Sequence, residues 1–210
     1  MKCIAAVVVA CMSLPALAVD IVDQQNAGII SGGFTISSSP LGQGFTPTLN
    51  RLDFVELQIN DQNPEFGTAV DIGVRIRAND IAGAILGTSN TVSFADQINT
   101  IPSTGFQMVE LVRFDFGMSV ALTPGSVYLL EPFKLGGDSD LGIFGTGFGI
   151  DAYPAGDSYF RGAAVTGALA PFDLWFREGV TTRVPEPPIS MLLGVGLLAL
   201  VSHRRLHASR

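Results

Sequence analysis

The stretch Val70-Asp71-Ile72-Gly73-Val74-Arg75-Ile76-Arg77 alternates branched apolar residues with polar residues or glycine along its whole length. A period of two sets Val70, Ile72, Val74 and Ile76 on one face and Asp71, Arg75 and Arg77 on the other. That is the pattern of a strand with one buried and one wet side. Leu52-Asp53-Phe54-Val55-Glu56-Leu57-Gln58-Ile59 alternates in the same way around a one-residue slip, so a strand with a β-bulge near Phe54 and Val55 is expected. Val109 and Leu111, followed by Val112, Phe114 and Phe116, repeat the slip.

Outward from these strands the chain keeps the same grain. Residues 82–94 hold a short strand or two. Leu122-Thr123-Pro124-Gly125-Ser126 is a tight turn, with Pro124 presetting φ and Gly125 accepting φ > 0, and it opens a strand over residues 127–133. The glycine-rich residues 141–150, then 157–161 and 172–177, are strand-like. Residues 20–39 are mixed, and glycines 28, 32 and 33 break any long helical pattern. Short strands at spacings of about 10 residues, with Gly and Pro turns, predict an all-β sandwich in a single domain, residues 19–183. No fixed-period repeat is visible, which disfavours a propeller or solenoid.

The two ends differ from this domain. Lys2, the apolar residues 4–14 and the A-x-A site Ala16-Leu17-Ala18 predict a signal peptide over residues 1–18, cut by signal peptidase to leave Val19 first. Val8-Val9-Ala10-Cys11 loosely resembles a lipobox, the competing reading. At the other end Pro185, Pro187 and Pro188 enforce extended backbone, residues 189–201 are apolar apart from Ser190 and glycines, and Arg204, Arg205 and Arg210 follow. The apolar run is short beside an ordinary span of about 20 residues, though a thinned bilayer accepts one.

An ordinary C-terminal membrane anchor is one reading of residues 184–210. The ordered triplet of Val184-Pro185-Glu186-Pro187, an apolar helix and an Arg cluster resembles the PEP-CTERM sorting signal. That resemblance implies recognition by exosortase, a membrane-embedded cysteine protease-like enzyme that cuts near the motif. It also implies a single C-terminal transmembrane helix and work outside the cytoplasm. A second resemblance spans most of the domain. Gln43-Gly44-Phe45-Thr46, Leu86-Gly87-Thr88-Ser89, Leu122-Thr123-Pro124-Gly125 with Val127-Tyr128-Leu129, and Asp173-Leu174-Trp175-Phe176 are similar in order to jelly-roll β-sandwich ectodomains of anchored bacterial surface proteins. It implies a jelly-roll-like sandwich, and jelly rolls at large often bind carbohydrate.

Composition removes most chemistry. Cys3 and Cys11 lie in the signal and His203 and His207 beyond the apolar tail, so the domain holds no Ser-His-Asp or Cys-His centre and no Cys or His zinc site. No P-loop or dinucleotide fingerprint occurs. The chain carries −7, and its removable basic ends leave a more acidic domain with Lys134 its only lysine, which repels nucleic acid. Glu56, Glu110, Glu131 and Glu178 are the carboxylates a glycosidase would need, with Glu56 and Glu110 expected to face water. Asp138, Asp140, Asp151 and Asp157 are candidate ligands for a structural Ca²⁺. Tyr153, Tyr159 and Trp175, near Asp151, Asp157, Asp173 and Arg177, are candidate glycan contacts. Alternation sets Trp175 opposite Leu174 and Phe176, on the wetter face, with core packing as its competing role.

The expectation is a non-enzymatic protein without cofactor, exported by a Gram-negative bacterium. It passes through an inner-membrane intermediate to the cell envelope, cell surface or extracellular matrix. Its work there is structural or adhesive, alongside exopolysaccharide; a carbohydrate-binding module is the alternative.

Overall fold

Val70, Ile72, Val74 and Ile76 are all buried, and Asp71 is exposed, in the strand that the alternation predicts. In the computed structural model residues 18–62, 69–94, 109–137, 141–147 and 149–183 are described. Their strands are β1 (Ala18–Asn26), β2 (Ile30–Thr35), β3 (Gly42–Phe45), β4 (Arg51–Asp61), β5 (Val70–Ala78), β6 (Ile85–Thr88) and β7 (Val92–Phe94). There follow β8 (Glu110–Ala121), β9 (Tyr128–Gly136), β10 (Leu141–Thr146), β11 (Ser158–Phe160), β12 (Ala163–Ala164) and β13 (Phe176–Arg183). Among the described residues the helical turns are two short 3-10 segments, Ile36–Ser38 and Gly167–Leu169. The protein is all-β.

The strands make two antiparallel sheets. One runs β1-β13-β4-β10-β2, with β8 also on β4; the other runs β12-β11-β3-β9-β5-β6, with β7 also on β5. Leu52, Val55, Leu57, Ile59, Val112, Phe114 and Phe116 from the first sheet meet Val70, Ile72, Val74, Ile76, Tyr128 and Leu130 from the second in one core. This is a β-sandwich, its apolar faces turned inward because each sheet can hide only one side against the other.

The irregularity expected near Phe54 and Val55 lies between Leu52 and Phe54, where the register with β8 shifts. The extra residues sit on β8: Leu52 pairs with Val120 and Phe54 with Asp115. Phe54 therefore leaves the inner face and is buried on the outer one, with the Arg113 guanidinium 4.1 Å above its ring. The slip expected at Leu111 and Val112 is absent. Val112, Phe114 and Phe116 alternate inward, and Leu111 is an exposed residue of the outer face. The last strand starts at Phe176 and runs to Arg183, rather than covering 172–177. Residues 173–175 instead cross the end of β10, where Gly145 bridges Leu174. The mixed residues 20–39 supply most of β1 and all of β2.

The chain divides into two compact units. Asp20–Thr181 carries the sandwich. In the other, formed from Met1–Val19 and Thr182–Arg210, the Thr182 hydroxyl donates to the Val19 carbonyl at 3.1 Å. Ala16, residues 184–187, the apolar residues 189–201, Arg204 and Arg205 lie outside the described residues, as do Asp138 and Asp140. Among the described residues no helix is long and apolar enough to cross a membrane.

Candidate functional site

The most built-up corner of the sandwich is the loop 151–157, which joins β10 to β11 and lies against β3. Its hold on β3 begins with glycine. A Cβ on Gly156 would stand 2.2 Å from the Gly44 carbonyl oxygen, so only a residue without one lets the two backbones touch. The contact is sealed by the Gly44 amide donating to the Asp157 carbonyl at 2.7 Å and the Thr46 hydroxyl donating to the Ala155 carbonyl at 2.9 Å.

Two buried side chains clamp the loop from beneath. The Gln43 amide, fully buried, donates to the Gly156 carbonyl (3.0 Å) and to Asp173 Oδ1 (3.1 Å), while its Oε1 accepts from the Leu174 amide (2.8 Å). Asp173 Oδ2 accepts from the backbone N–H groups of Ala152 and Tyr153 at 2.9 and 3.0 Å. Burial pushes the Asp173 carboxyl above its ordinary range; the N–H of Tyr153, the Gln43 amide and the N–H of Ala152 oppose that, and the nearby Asp151 charge adds to it. Asp173 is an anchor with its oxygens already engaged.

Tyr153 proves to be an anchor too. It is buried, its ring meets Phe176 edge-on at 5.0 Å, its hydroxyl donates to Gln24 Oε1 at 3.0 Å, and it accepts from the Thr46 amide at 3.3 Å. Trp175 does stand opposite Leu174 and Phe176, which lie in the core, but the expected wetter face is covered there and Trp175 is only 8% exposed. Both side chains are therefore buried rather than open at the surface. The alternation was right and the wetness was not, because a period of two assigns a face but not what lies over it.

Tyr159 is different. On β11 its neighbours Ser158 and Phe160 turn inward, Ser158 Oγ donating to the Phe172 carbonyl and Phe160 stacking on Phe34 at 4.5 Å. Tyr159 thus faces outward, beside Gly42 on β3 and Ala164 on β12, both too small to cover its ring. It lines a hollow of about 390 Å³ together with Asn79, Asp157, Thr46, Val127 and Pro154. A smaller hollow of about 150 Å³ on the other side of the loop is lined by Asp151, Asp157 and Asp173 among others. The structure therefore brings Asp157 and Tyr159 together, and Asp151 with Asp157. Among the described residues no three carboxylate, Cys or His groups are arranged to hold a metal ion.

The glutamates are engaged or enclosed. Glu56, expected to face water, is covered on the outer face by Arg177 at 3.1 Å and Arg113 at 3.7 Å. Glu131 is buried and paired with Arg77 at 2.7 Å. Glu110 is half-buried at the start of β8. Glu178 pairs in register with Val55 and so points into the core, where it is fully buried. Neither of its oxygens has a hydrogen-bond partner among the described residues, and the backbone N–H of Gln24 only partly favours the charged form. Burial, then the charge of Asp23, push its carboxyl up to about 8.

Sequence reasoning did not single out Gln43 or Asn79 as site residues. Gln43 sits between two glycines in an otherwise apolar strand, the setting of a buried amide that serves backbone. Asn79 follows β5 with φ of 66°, a left-handed conformation that Asn tolerates and an Asn-Asp turn after a strand signals. No protein-family model matches the chain, and no curated protein matches it.

Proposed function

We propose that this chain is an exported, exosortase-processed protein of the cell surface or extracellular matrix, whose jelly-roll-like sandwich does structural or adhesive work and performs no catalysis. The observation that carries the reading is the sandwich between the two terminal segments: residues 20–181 build two antiparallel sheets around one core. The segments read as export and sorting signals lie on either side of it in the sequence.

Two further features support it. Successive strands pass repeatedly from one sheet to the other, β2 to β3 to β4 to β5, then β7 to β8 to β9 to β10 to β11, as a jelly roll requires. Val19 and Thr182 are hydrogen-bonded, so the residue that follows the signal-peptidase site adjoins the end of the last strand. In this reading residues 189–201 form the transmembrane helix of an inner-membrane intermediate, held with Arg204 and Arg205 on the cytoplasmic side.

The test replaces Pro185 and Glu186 by alanine in an exosortase-bearing Gram-negative host. The expected outcome is full-length precursor retained in the inner membrane, while the parent chain is shortened at its C-terminus and leaves it. Unchanged processing of the variant overturns the reading.

A further inference from the structure

The hollow beside Tyr159 combines features that the rest of the surface does not explain. Its lining includes the phenol of Tyr159, which is partly exposed and whose cross-strand neighbours are the small residues Gly42 and Ala164. Its walls add the apolar Val127, which is 45% exposed, and Pro154. Between them stand an amide (Asn79), a carboxylate (Asp157) and a hydroxyl (Thr46) that already spends its proton on Ala155 and so presents an acceptor. Among the described residues the lining holds no Lys or Arg. Burial, then the charges of Asp157 and Asp80, push the Tyr159 phenol above its ordinary value, so it stays a neutral hydrogen-bonding group.

The chemistry of the lining selects the ligand. An open aromatic face takes a flat, weakly polar surface such as the C–H face of a sugar ring, while carboxylate and amide groups around it accept from and donate to hydroxyls. Carboxylates without a cation repel phosphate, sulfate and uronate groups, so an anionic polymer is disfavoured. A volume of about 390 Å³ falls within the roughly 300–1,000 Å³ of small-ligand sites. The hollow is also rigidly made: Asn79 is held at φ of 66° with its backbone N–H donating to the Val127 carbonyl at 3.1 Å, and the loop carrying Asp157 is fastened to β3.

We propose that this hollow binds a short stretch of a neutral polysaccharide, Tyr159 being the stacking platform and Asn79, Asp157 and Thr46 the hydrogen-bonding groups. The proposal deepens the surface-protein reading and rests on it for where such a polymer is met. Binding is measured on purified protein, so its failure is distinct from a failure of tail processing.

The experiment presents the full chain, in mild detergent, to immobilised neutral hexose oligomers and to uronic-acid oligomers of the same length. Binding to at least one neutral series is expected, with at most marginal binding to uronates. Tyr159→Ala should weaken it about tenfold or more, a loss of about 1.4 kcal/mol in binding free energy. Tyr159→Phe should keep most of it. Asn79→Gly, which retains the left-handed backbone and removes only the amide, should weaken it several-fold with an unchanged unfolding midpoint. The proposal is overturned if no neutral oligomer binds, if Tyr159→Ala binds as tightly as the parent, or if uronates bind as well as neutral oligomers.

Discussion

Replacing Glu178 by Gln should flatten the dependence of stability on pH, because Glu178 is a core carboxyl held without a hydrogen-bond partner among the described residues. Its ionisation moves from an ordinary 4.5 to about 8 in the folded protein, while the unfolded chain keeps the ordinary value. Between those limits the folded state binds more protons than the unfolded one, so stability is full below pH about 4.5, falls through the window and levels off above pH about 8. At 1.36 kcal/mol per decade, the loss is about 3 kcal/mol at pH 7 and about 5 kcal/mol above pH 8. Against a total of roughly 5–15 kcal/mol for a domain, that is a large share.

Asp173, also pushed up by burial, adds a fall of the same sign, and it remains in the variant. Tyr153, raised above 10, acts only in strong alkali. The informative quantity is therefore the difference between parent and Glu178→Gln. The buried Trp175, the only tryptophan, reports unfolding in urea by its fluorescence. Near pH 4 the two proteins should differ only by the burial of an unpartnered amide in place of a protonated carboxyl, within about 1–3 kcal/mol. By pH 8 the variant should have gained about 4 kcal/mol on the parent, and about 5 kcal/mol above it. Glu178→Met, which carries no titrating or hydrogen-bonding group, should show the same relative gain. A constant difference from pH 4 to pH 8 would refute the reasoning, for it would mean that Glu178 titrates alike in folded and unfolded chains.

Arg113→Ala removes the bonds to Asp20 at 2.6 and 3.2 Å, to Asp115 at 2.7 Å and to Thr181 at 3.0 Å, together with the stack on Phe54. It should lower stability in urea by about 1–3 kcal/mol, and added salt should erase only part of the difference because the stacking is not screened. Arg113, first among the causes, holds the Asp20 carboxyl below its ordinary range, so that pair's contribution is present above pH about 4 and lost as pH falls below it. Gly156→Ala puts a Cβ against the Gly44 carbonyl oxygen and should cost about 2 kcal/mol or more, with exposure of loop 151–157 to limited proteolysis as the local readout. An unchanged cleavage pattern would mean that the two backbones can part without loss.

Much of the architecture is legible in the residues themselves. The alternation of 70–77 is enough to place β5 and its inward face, since a pleated strand has one period and a single wrong register would bury Asp71 and Arg75. The turn at Pro124 and Gly125 is likewise local chemistry, realised with φ of 78° at Gly125. β1 and β2 escaped because their apolar residues are sparse and their glycines read as breakers. β1 is exposed or half-covered apart from the buried Asn26 at its end, and Gly33 lies where a Cβ would meet the Ile143 carbonyl at 2.8 Å.

What only the tertiary structure decided is which side of a strand is covered. Trp175 and Glu56 obey their alternation, yet one is buried and the other lies under two arginines that sequence places far away. Glu178 looks in sequence like any surface glutamate. Only its pairing with Val55 aims it into the core, where burial first, and then the charge of Asp23, fixes its behaviour. Tyr159 and Asn79 are eighty residues apart and share a hollow because β11 and the end of β5 lie in one sheet. Local sequence determines strand period and turn, whose physical causes are local sterics and hydropathy. Burial, charge state and the meeting of distant side chains depend on packing between strands, which no short stretch contains.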